Sequence, residues 1–241
     1  MNTEDHDPGE APQDTCDTRP PGGFWDLLNP AEKAALQLIG QVSAFGPGEA
    51  ICVEGATATE VLVLTEGWVK ILAVNRKRRN VVLALRGPGD IIGELAGRAA
   101  GRRTASVTAA GHVRALVIDR DQFTRHVHSR PEANRAYSDA ITQRWQEAAD
   151  MHRSRSLDNS AQRLAGFLLD LASRHGTPTE TGTVITMLLS QEEIASLIGA
   201  SRATVTRALR NWRGRGLITS ARHQITITNS QGLHGAAGRP G

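Results

Sequence analysis

The stretch from Ser190 to Trp212, SQEEIASLIGASRATVTRALRNW, constrains this chain more than any other. Ser190 followed three residues later by Glu193 is a capping box, which starts a helix. Ile194, Ala195 and Ile198 then form an apolar stripe at helical spacing. Gly199 ends that helix, because glycine enters the left-handed region without a steric cost. Ser201 is placed to cap a second helix. The whole reads as helix, tight turn, helix.

The second helix sorts its residues by face. At about 100° per residue, Val205, Ala208, Leu209 and Trp212 gather on one side. Arg202, Ala203, Thr206, Arg210 and Arg213 share the adjacent side, with Arg207 at its edge, and no acid lies between Ser201 and Leu217. Arginine forks onto guanine O6 and N7, and serine and threonine can hold phosphate, so this helix can read a major groove. A solvated amphipathic helix with a basic outer face would carry the same residues. By itself the helix leaves both readings open.

With 241 residues the chain has room for two domains. No apolar run approaches the length of a membrane span. The polar, proline-rich N-terminus lacks the hydrophobic centre of a signal peptide, so a cytoplasmic protein is expected. Cys16 and Cys52 are the two cysteines, and Cys16 falls in the polar tail, so a disulfide framework is not expected. Residues 1–22 carry six acids and one base, with few apolar residues, which predicts a disordered acidic tail. The formal charge is +3, so the rest of the chain is clearly basic. That balance is compatible with nucleic acid but does not establish it. Arginine outnumbers lysine 25 to 3, a skew that discounts arginine content as a signal.

After a helix running to about Ile39, started at Asn29-Pro30 and showing Ala34, Ala35, Leu38 and Ile39 on its apolar side, the pattern changes. From Val42 to Phe123 the apolar runs are short and β-rich, and glycine-containing turns separate them. Such spacing predicts an antiparallel barrel, roll or sandwich. The run Arg76-Lys77-Arg78-Arg79 falls between two strands and reads as a charged hairpin tip. Within this region stands Gly93-Glu94-Leu95-Ala96, then, six residues on, Arg103-Thr104-Ala105. A short helical turn with exposed N–H groups attracts an anion, arginine clamps phosphate, and a carboxylate accepts from sugar hydroxyls. That set suits a cyclic nucleotide. A plain Glu94–Arg103 salt bridge is the alternative that spacing leaves open.

The roll with its GELA…RTA cassette resembles a cyclic-nucleotide-binding domain. Followed by a long helix and LSQEEIASLIGASRATVTRAL, it resembles the catabolite-activator (CRP/FNR) superfamily of bacterial transcription regulators over about residues 24–233. The resemblance implies an α+β architecture: an N-terminal cyclic-nucleotide-binding β-roll (jelly roll), a long dimerisation helix and a C-terminal winged helix-turn-helix. The corresponding spans are 1–22 for the tail, 23–130, 131–157 and 158–234, with 235–241 as a flexible end. It implies that Arg103 holds the cyclic phosphate and Glu94 the ribose 2′-OH, that Thr104 and Ala105 add contacts, and that Gly93, Leu95 and Ala96 shape the cassette. The DNA-facing set becomes Ser190, Ser201, Arg202, Ala203, Thr204, Thr206, Arg207 and Arg210, with Arg202 and Arg207 on base edges. Ala203 departs from the glutamate that several members carry there, which puts the half-site sequence in doubt. The cassette also departs from the pattern: Gly97 to Arg102 lacks the usual large apolar residue and the proline before the arginine.

Pro131 to Leu157 reads as one helix, with Ala133, Tyr137, Ile141, Trp145, Ala148 and His152 at intervals of three or four. A narrow stripe of that length predicts a coiled-coil seam and a homodimer. Family members that respond to cyclic AMP offer a threonine–serine pair from this helix. Here Ala148 and Ala149 stand in that place, and neither can bond a base edge. Cyclic AMP is the first effector expected, and no cofactor is required. A different small molecule, or an effector-independent architectural protein, stays open. Two cysteines do not suffice for an iron–sulfur sensor, and His126-x-His128 reads as a surface pair, not a metal or haem site. Beyond Asp158-Asn159-Ser160, a helix capped by Asp158 or Ser160 carries Leu164, Phe167, Leu168 and Leu171, and LITS and QITIT form a wing. No catalytic residues are expected. The expected partners are double-stranded DNA with an approximately palindromic operator, a second copy of the chain, and RNA polymerase, with no membrane.

Overall fold

The computed structural model describes residues 23–74, 80–97, 101–157, 159–186, 189–221 and 224–238. The acidic tail, the basic run at 76–79, Arg98, Asp158, the wing-tip Arg222-His223 and the last three residues lie outside the described residues.

The chain opens with α1 (Pro30–Ile39), whose N-cap Asn29 accepts from the Glu32 amide at 2.9 Å. Apolar spacing points to Ala34, Ala35, Leu38 and Ile39 as the inner face. The structure instead buries Leu36 and Glu32, and leaves Leu38 88% exposed. The reason is a polar cluster that hydrophobicity cannot register. Buried Glu32 meets His126 Nε2 at 2.8 Å and Arg130 at 3.2 Å. His126 is therefore a buried partner of Glu32 and not half of a surface pair.

The roll follows as β1 (Gly40–Phe45), β2 (Ala50–Cys52), β3 (Glu60–Glu66), β4 (Val69–Val74), β5 (Asn80–Arg86), β6 (Ile91–Ile92), the 3₁₀ turn Glu94–Gly97, β7 (Ser106–Ala109) and β8 (Val113–Asp119). Two antiparallel sheets result, ordered β1-β8-β3-β6 and β2-β7-β4-β5. Strand β3 is buried on both sides, which is why VLVL shows no alternation. Leu62 and Leu64 face the roll interior with Val69, Ile92 and Val107. Val61 and Val63 face a second core with Phe24, Leu36 and Phe123.

Helix α2 (Arg120–Ser129) leads into α3 (Pro131–Leu157), about 40 Å long. Ala133, Ala136 and Ala140 bury one face of α3 against its own roll. Tyr137 belongs to that contact, with ring centroids 6.5 Å from Phe24 and 6.1 Å from Phe123. It is half-buried and packs against the chain's own core.

The C-terminal part contains α4 (Ser160–His175), β9 (Thr177–Thr179), β10 (Gly182–Thr186), α5 (Gln191–Ile198), α6 (Arg202–Gly214), β11 (Ile218–Ala221), β12 (Gln224–Ile227) and α7 (Ser230–Ala236). Asn159, rather than Asp158 or Ser160, caps α4, through a reciprocal box with Gln162. The small sheet is ordered β11-β12-β10-β9. The core joins Leu164, Leu168, Ile194, Val205, Leu209, Trp212 and Ile218. Glycine-rich composition points to a flexible end from 235. In the structure α7 runs through Ala236, and Leu233 and Ala237 pack on that core. Among the described residues no helix is long and apolar enough to cross a membrane.

The two parts touch through β4 and β5. Lys70 pairs with Glu193 at 2.6 Å, and Ser196 donates to the Val82 carbonyl at 3.3 Å. Trp68 meets His175 edge-on at 4.1 Å between centroids. Glu147 of α3 pairs with Arg86 of β5 at 3.3 Å and, through its other oxygen, with Arg174 of α4.

Candidate nucleotide cavity and DNA-reading helix

The helix-turn-helix forms for local reasons. The Ser190 hydroxyl accepts from the Glu193 amide at 3.2 Å, and the Glu193 carboxylate accepts from the Ser190 amide at 2.7 Å. Gly199 adopts φ 63°, and its N–H closes the α5 C-terminus on Ala195 and Ser196. Two guanidiniums from elsewhere finish that end. Arg155 of α3 donates to the Leu197 carbonyl at 3.0 Å, and Arg163 of α4 donates to Ile198 at 2.7 Å and Gly199 at 3.0 Å. Cations suit a helix C-terminus, where unsatisfied carbonyls carry partial negative charge. Both residues lie more than 30 positions from their acceptors, so no local sequence signal marks them.

Helix α6 begins at Ser201, whose hydroxyl accepts from the Thr204 amide at 3.1 Å. Val205, Leu209 and Trp212 are buried, while Arg202, Ala203, Arg207 and Arg210 are exposed. Ser190 and Ser201 are exposed at the two helix starts. Thr206 differs from the phosphate-facing expectation. Its oxygen lies 2.5 Å from Gln191 Oε1 and 2.9 Å from the Arg202 carbonyl, so its single proton is already engaged. The Ser201 and Thr204 hydroxyls also bond one another, at 2.9 Å.

The cassette closes one side of a cavity of about 330 Å³. Gly93, Glu94, Leu95, Arg103, Thr104 and Ala105 all line it, and Ala96 belongs to the same 3₁₀ turn. Hydrogen bonds from the Arg103 amide to Ala56 and from the Gly55 amide to the Arg103 carbonyl, 2.8 and 2.9 Å, fix the Arg103 backbone. Its side chain enters a buried site, leaving the residue 8% exposed. There Nη1 has no hydrogen-bond partner. An unpaired buried donor costs about 1–3 kcal/mol, more when charged, unless a ligand satisfies it. Gly93 makes the position possible. Its φ is 87°, and a Cβ there would stand 2.0 Å from Arg103 Nη1.

Glu94 does not pair with Arg103. Its carboxylate, with a side chain 3% exposed, binds Arg144 of α3, which also donates to the Ile91 carbonyl and stands 3.8 Å from Asp90. Burial pushes the Glu94 carboxyl above the usual range, with Arg144 opposing that shift. Burial likewise raises Asp90, opposed by Arg86 and Arg144. The far wall brings Arg86, Ile141, Arg144, Trp145 and Ala148. Of these, Arg86 and Arg144 carry no sequence signal, because their partners lie 50 or more residues away. Cys52 lines the cavity as a buried free thiol whose pKa burial raises. Among the described residues no group of His, Cys, Asp and Glu could hold a metal ion.

A roll enclosing a cassette-lined cavity, joined by a long helix to a winged helix-turn-helix, is the architecture of a DNA-binding regulator. Family models agree in both halves: a cyclic nucleotide-binding domain matches residues 42–130, and a Crp-like helix-turn-helix domain matches residues 162–235. A CRP-like cAMP-activated global transcriptional regulator of Mycobacterium tuberculosis is 32% identical over 211 residues, covering 88% of this chain and 94% of that protein. A global nitrogen regulator of Synechococcus elongatus is 28% identical over 195 residues, 80% of this chain and 88% of that protein. The solved structure of FixK2 from Bradyrhizobium japonicum superposes with a TM-score of 0.72 at 21% identity, covering 82% of this chain and 97% of that one. The chain belongs to the CRP/FNR (catabolite activator) family of bacterial transcription regulators. The homologues and the fold are those of DNA-binding transcription regulators and not of enzymes.

Proposed function

We propose that this regulator binds a cyclic nucleotide, cyclic AMP first, in the cassette cavity, and that the ligand controls sequence-specific DNA binding by α6. The observation that carries the reading is the buried, unpartnered Nη1 of Arg103. Arg86 and Arg144 also line the cavity, but both have carboxylate partners; among the described residues Arg103 makes no ion pair. One uncompensated guanidinium calls for one negative charge, which a cyclic phosphodiester supplies. The cavity volume falls at the small end of ligand sites. The relative from M. tuberculosis is named as cAMP-activated, which supports the same choice.

In this reading Arg103 holds the phosphate, Thr104 and Ala105 flank it, and Glu94, still beside Arg144, reaches the ribose. Arg202 and Arg207 read base edges, while Ser190, Ser201, Thr204 and Arg210 hold backbone phosphates. Two chains pair along the outward side of α3, through Ile141, Trp145 and Ala148, and engage half-sites about 34 Å apart on a near-palindromic operator. RNA polymerase would be met there as a further partner. Ala148 and Ala149 carry no hydrogen-bonding group, and this favours a second reading in which another small molecule, or none, controls the protein. Calorimetric titration with cyclic AMP and cyclic GMP, repeated on Arg103→Ala, separates the two. Heat that vanishes in the variant supports the first. No heat from either nucleotide leaves the DNA reading standing and removes nucleotide control.

A further inference from the structure

Strand β5 stands between two cavities. Its Arg86 lines the cassette cavity and also a second one, of about 240 Å³, where the roll meets α4. Arg86 Nη1 donates to the Leu85 carbonyl at 2.9 Å and to one carboxylate oxygen of Glu147 at 3.3 Å. The other oxygen of Glu147 takes Arg174 of α4. Glu147 therefore joins a cation of the roll to a cation of the DNA-binding part. The near half of α3 is held by apolar burial at Ala133, Ala136 and Ala140. Its far half is tied to the roll by charge, Arg144 on Glu94 and Glu147 on Arg86, and both roll partners line the cassette cavity. Docking beside the bridge is close: His175 meets Trp68 edge-on, and a Cβ on Gly87 would stand 3.0 Å from the His175 ring.

We propose that Glu147 couples the cassette cavity to the DNA-binding part: an anion in the cavity draws Arg86 from Glu147 and so frees the far half of α3, with α4, from the roll. This rests on the nucleotide reading above and names the residue that transmits its effect. An anion on Arg103 shares one cavity with Arg86, within a Debye length of about 10 Å, and burial leaves their attraction poorly screened. Arg86 cannot turn inward to the anion and keep its bond to Glu147. In the tied arrangement Lys70 holds Glu193 and the Val82 carbonyl holds Ser196, so β4 and β5 lie against α5. The roll then stands beside Ser190, the phosphate-holding end of that helix in the reading above, and crowds the DNA backbone. The tied arrangement is the weaker DNA binder, and nucleotide and bridge oppose one another.

Coupling is measured in the full chain, from calorimetry with cyclic AMP and from anisotropy of a duplex that the wild type selects out of random DNA, with and without cyclic AMP. In the wild type the nucleotide should tighten DNA binding by about 10-fold or more. An amide in place of the Glu147 carboxylate has one acceptor and turns a donor on the second arginine, so it cannot hold both. Glu147→Gln without nucleotide should bind DNA nearly as the wild type does with it, leaving a coupling below about 2-fold, and should bind cyclic AMP at least about 3-fold more tightly, because coupling is reciprocal. Arg174→Met cuts the far end of the bridge and leaves Arg86 on Glu147. It should lose the coupling and keep the wild-type affinity for cyclic AMP. Docking is read separately from the His175 Hε1 resonance, which the indole of Trp68 shifts by its ring current. Cyclic AMP should move that resonance in the wild type to the position it takes in both variants without nucleotide. Wild-type coupling in Glu147→Gln overturns the inference, as does a His175 resonance that neither the nucleotide nor either variant moves. The variants cut the bridge at different residues, so one decides if the other fails to fold. Failure of the nucleotide reading looks different: the wild type gives no heat with cyclic AMP or cyclic GMP, and the inference falls with it.

Discussion

Arg144→Met leaves the Glu94 carboxylate in place and removes its counter-ion. The Glu94 side chain is 3% exposed and Arg144 is 18% exposed, so water cannot replace the lost charge without opening the cassette. Removing one partner of a buried pair costs about 3–5 kcal/mol. Glu94 has one way to offset the lost charge balance, which is to bind a proton. Its ordinary pKa is 4.5, so holding it neutral at pH 7 while the unfolded chain ionises costs about 3 kcal/mol. At pH 5 the same account leaves less than about 1 kcal/mol. The sign follows from proton counts: the folded variant holds a proton that the unfolded chain has released, so its stability falls as pH rises from 4.5. Loss of the Ile91 contact adds about 1 kcal/mol at every pH. Urea unfolding of wild type and variant at pH 5 and pH 7 measures both terms. Glu94→Gln in the same chain should remove the pH-dependent part. A loss that is the same at both pH values, or one that Glu94→Gln does not relieve, would refute the reasoning.

Other perturbations reach different parts of the molecule. Gly93→Ala puts a methyl group against Arg103 Nη1 at a φ of 87°, and should cost about 1–3 kcal/mol by thermal unfolding while abolishing nucleotide heat; unchanged stability and binding would contradict the close approach. Arg202→Ala should weaken binding to a selected duplex by about 1–3 kcal/mol and relax preference at one base position, whereas equal loss on random DNA would count against base reading. His175, lowered to about 4 by burial, should titrate near that value by NMR, and Trp68→Ala should return it towards 6.5. Because the unfolded chain takes up that proton first, its contribution to stability is complete above pH 6.5 and declines as pH falls towards 4. A wild-type midpoint near 6.5 would show that α4 is not docked on Trp68.

Much of this protein is readable from short spans of sequence, because the forces that form those spans are local. Ser190, Glu193, Gly199 and Ser201 act over three or four residues, so the first helix, the turn and the start of the second are legible in SQEEIASLIGAS. Turn glycines and short β-rich runs likewise announce the roll, and Gly93, Glu94 and Arg103 mark its cassette. What stays hidden concerns partners distant in sequence. Leu36 and Glu32, not Leu38, face inward on α1 because His126 and Arg130 lie 90 or more residues away. Tyr137 joins its own core because Phe24 and Phe123 wait there. Glu94 takes Arg144 and leaves Arg103 Nη1 without a partner, the observation on which the proposed anion site rests. Local propensity and periodicity determine which elements form and which face is apolar. Which charge meets which is decided only when the long helix crosses the roll, since Coulomb attraction and burial depend on distance in space and not along the chain.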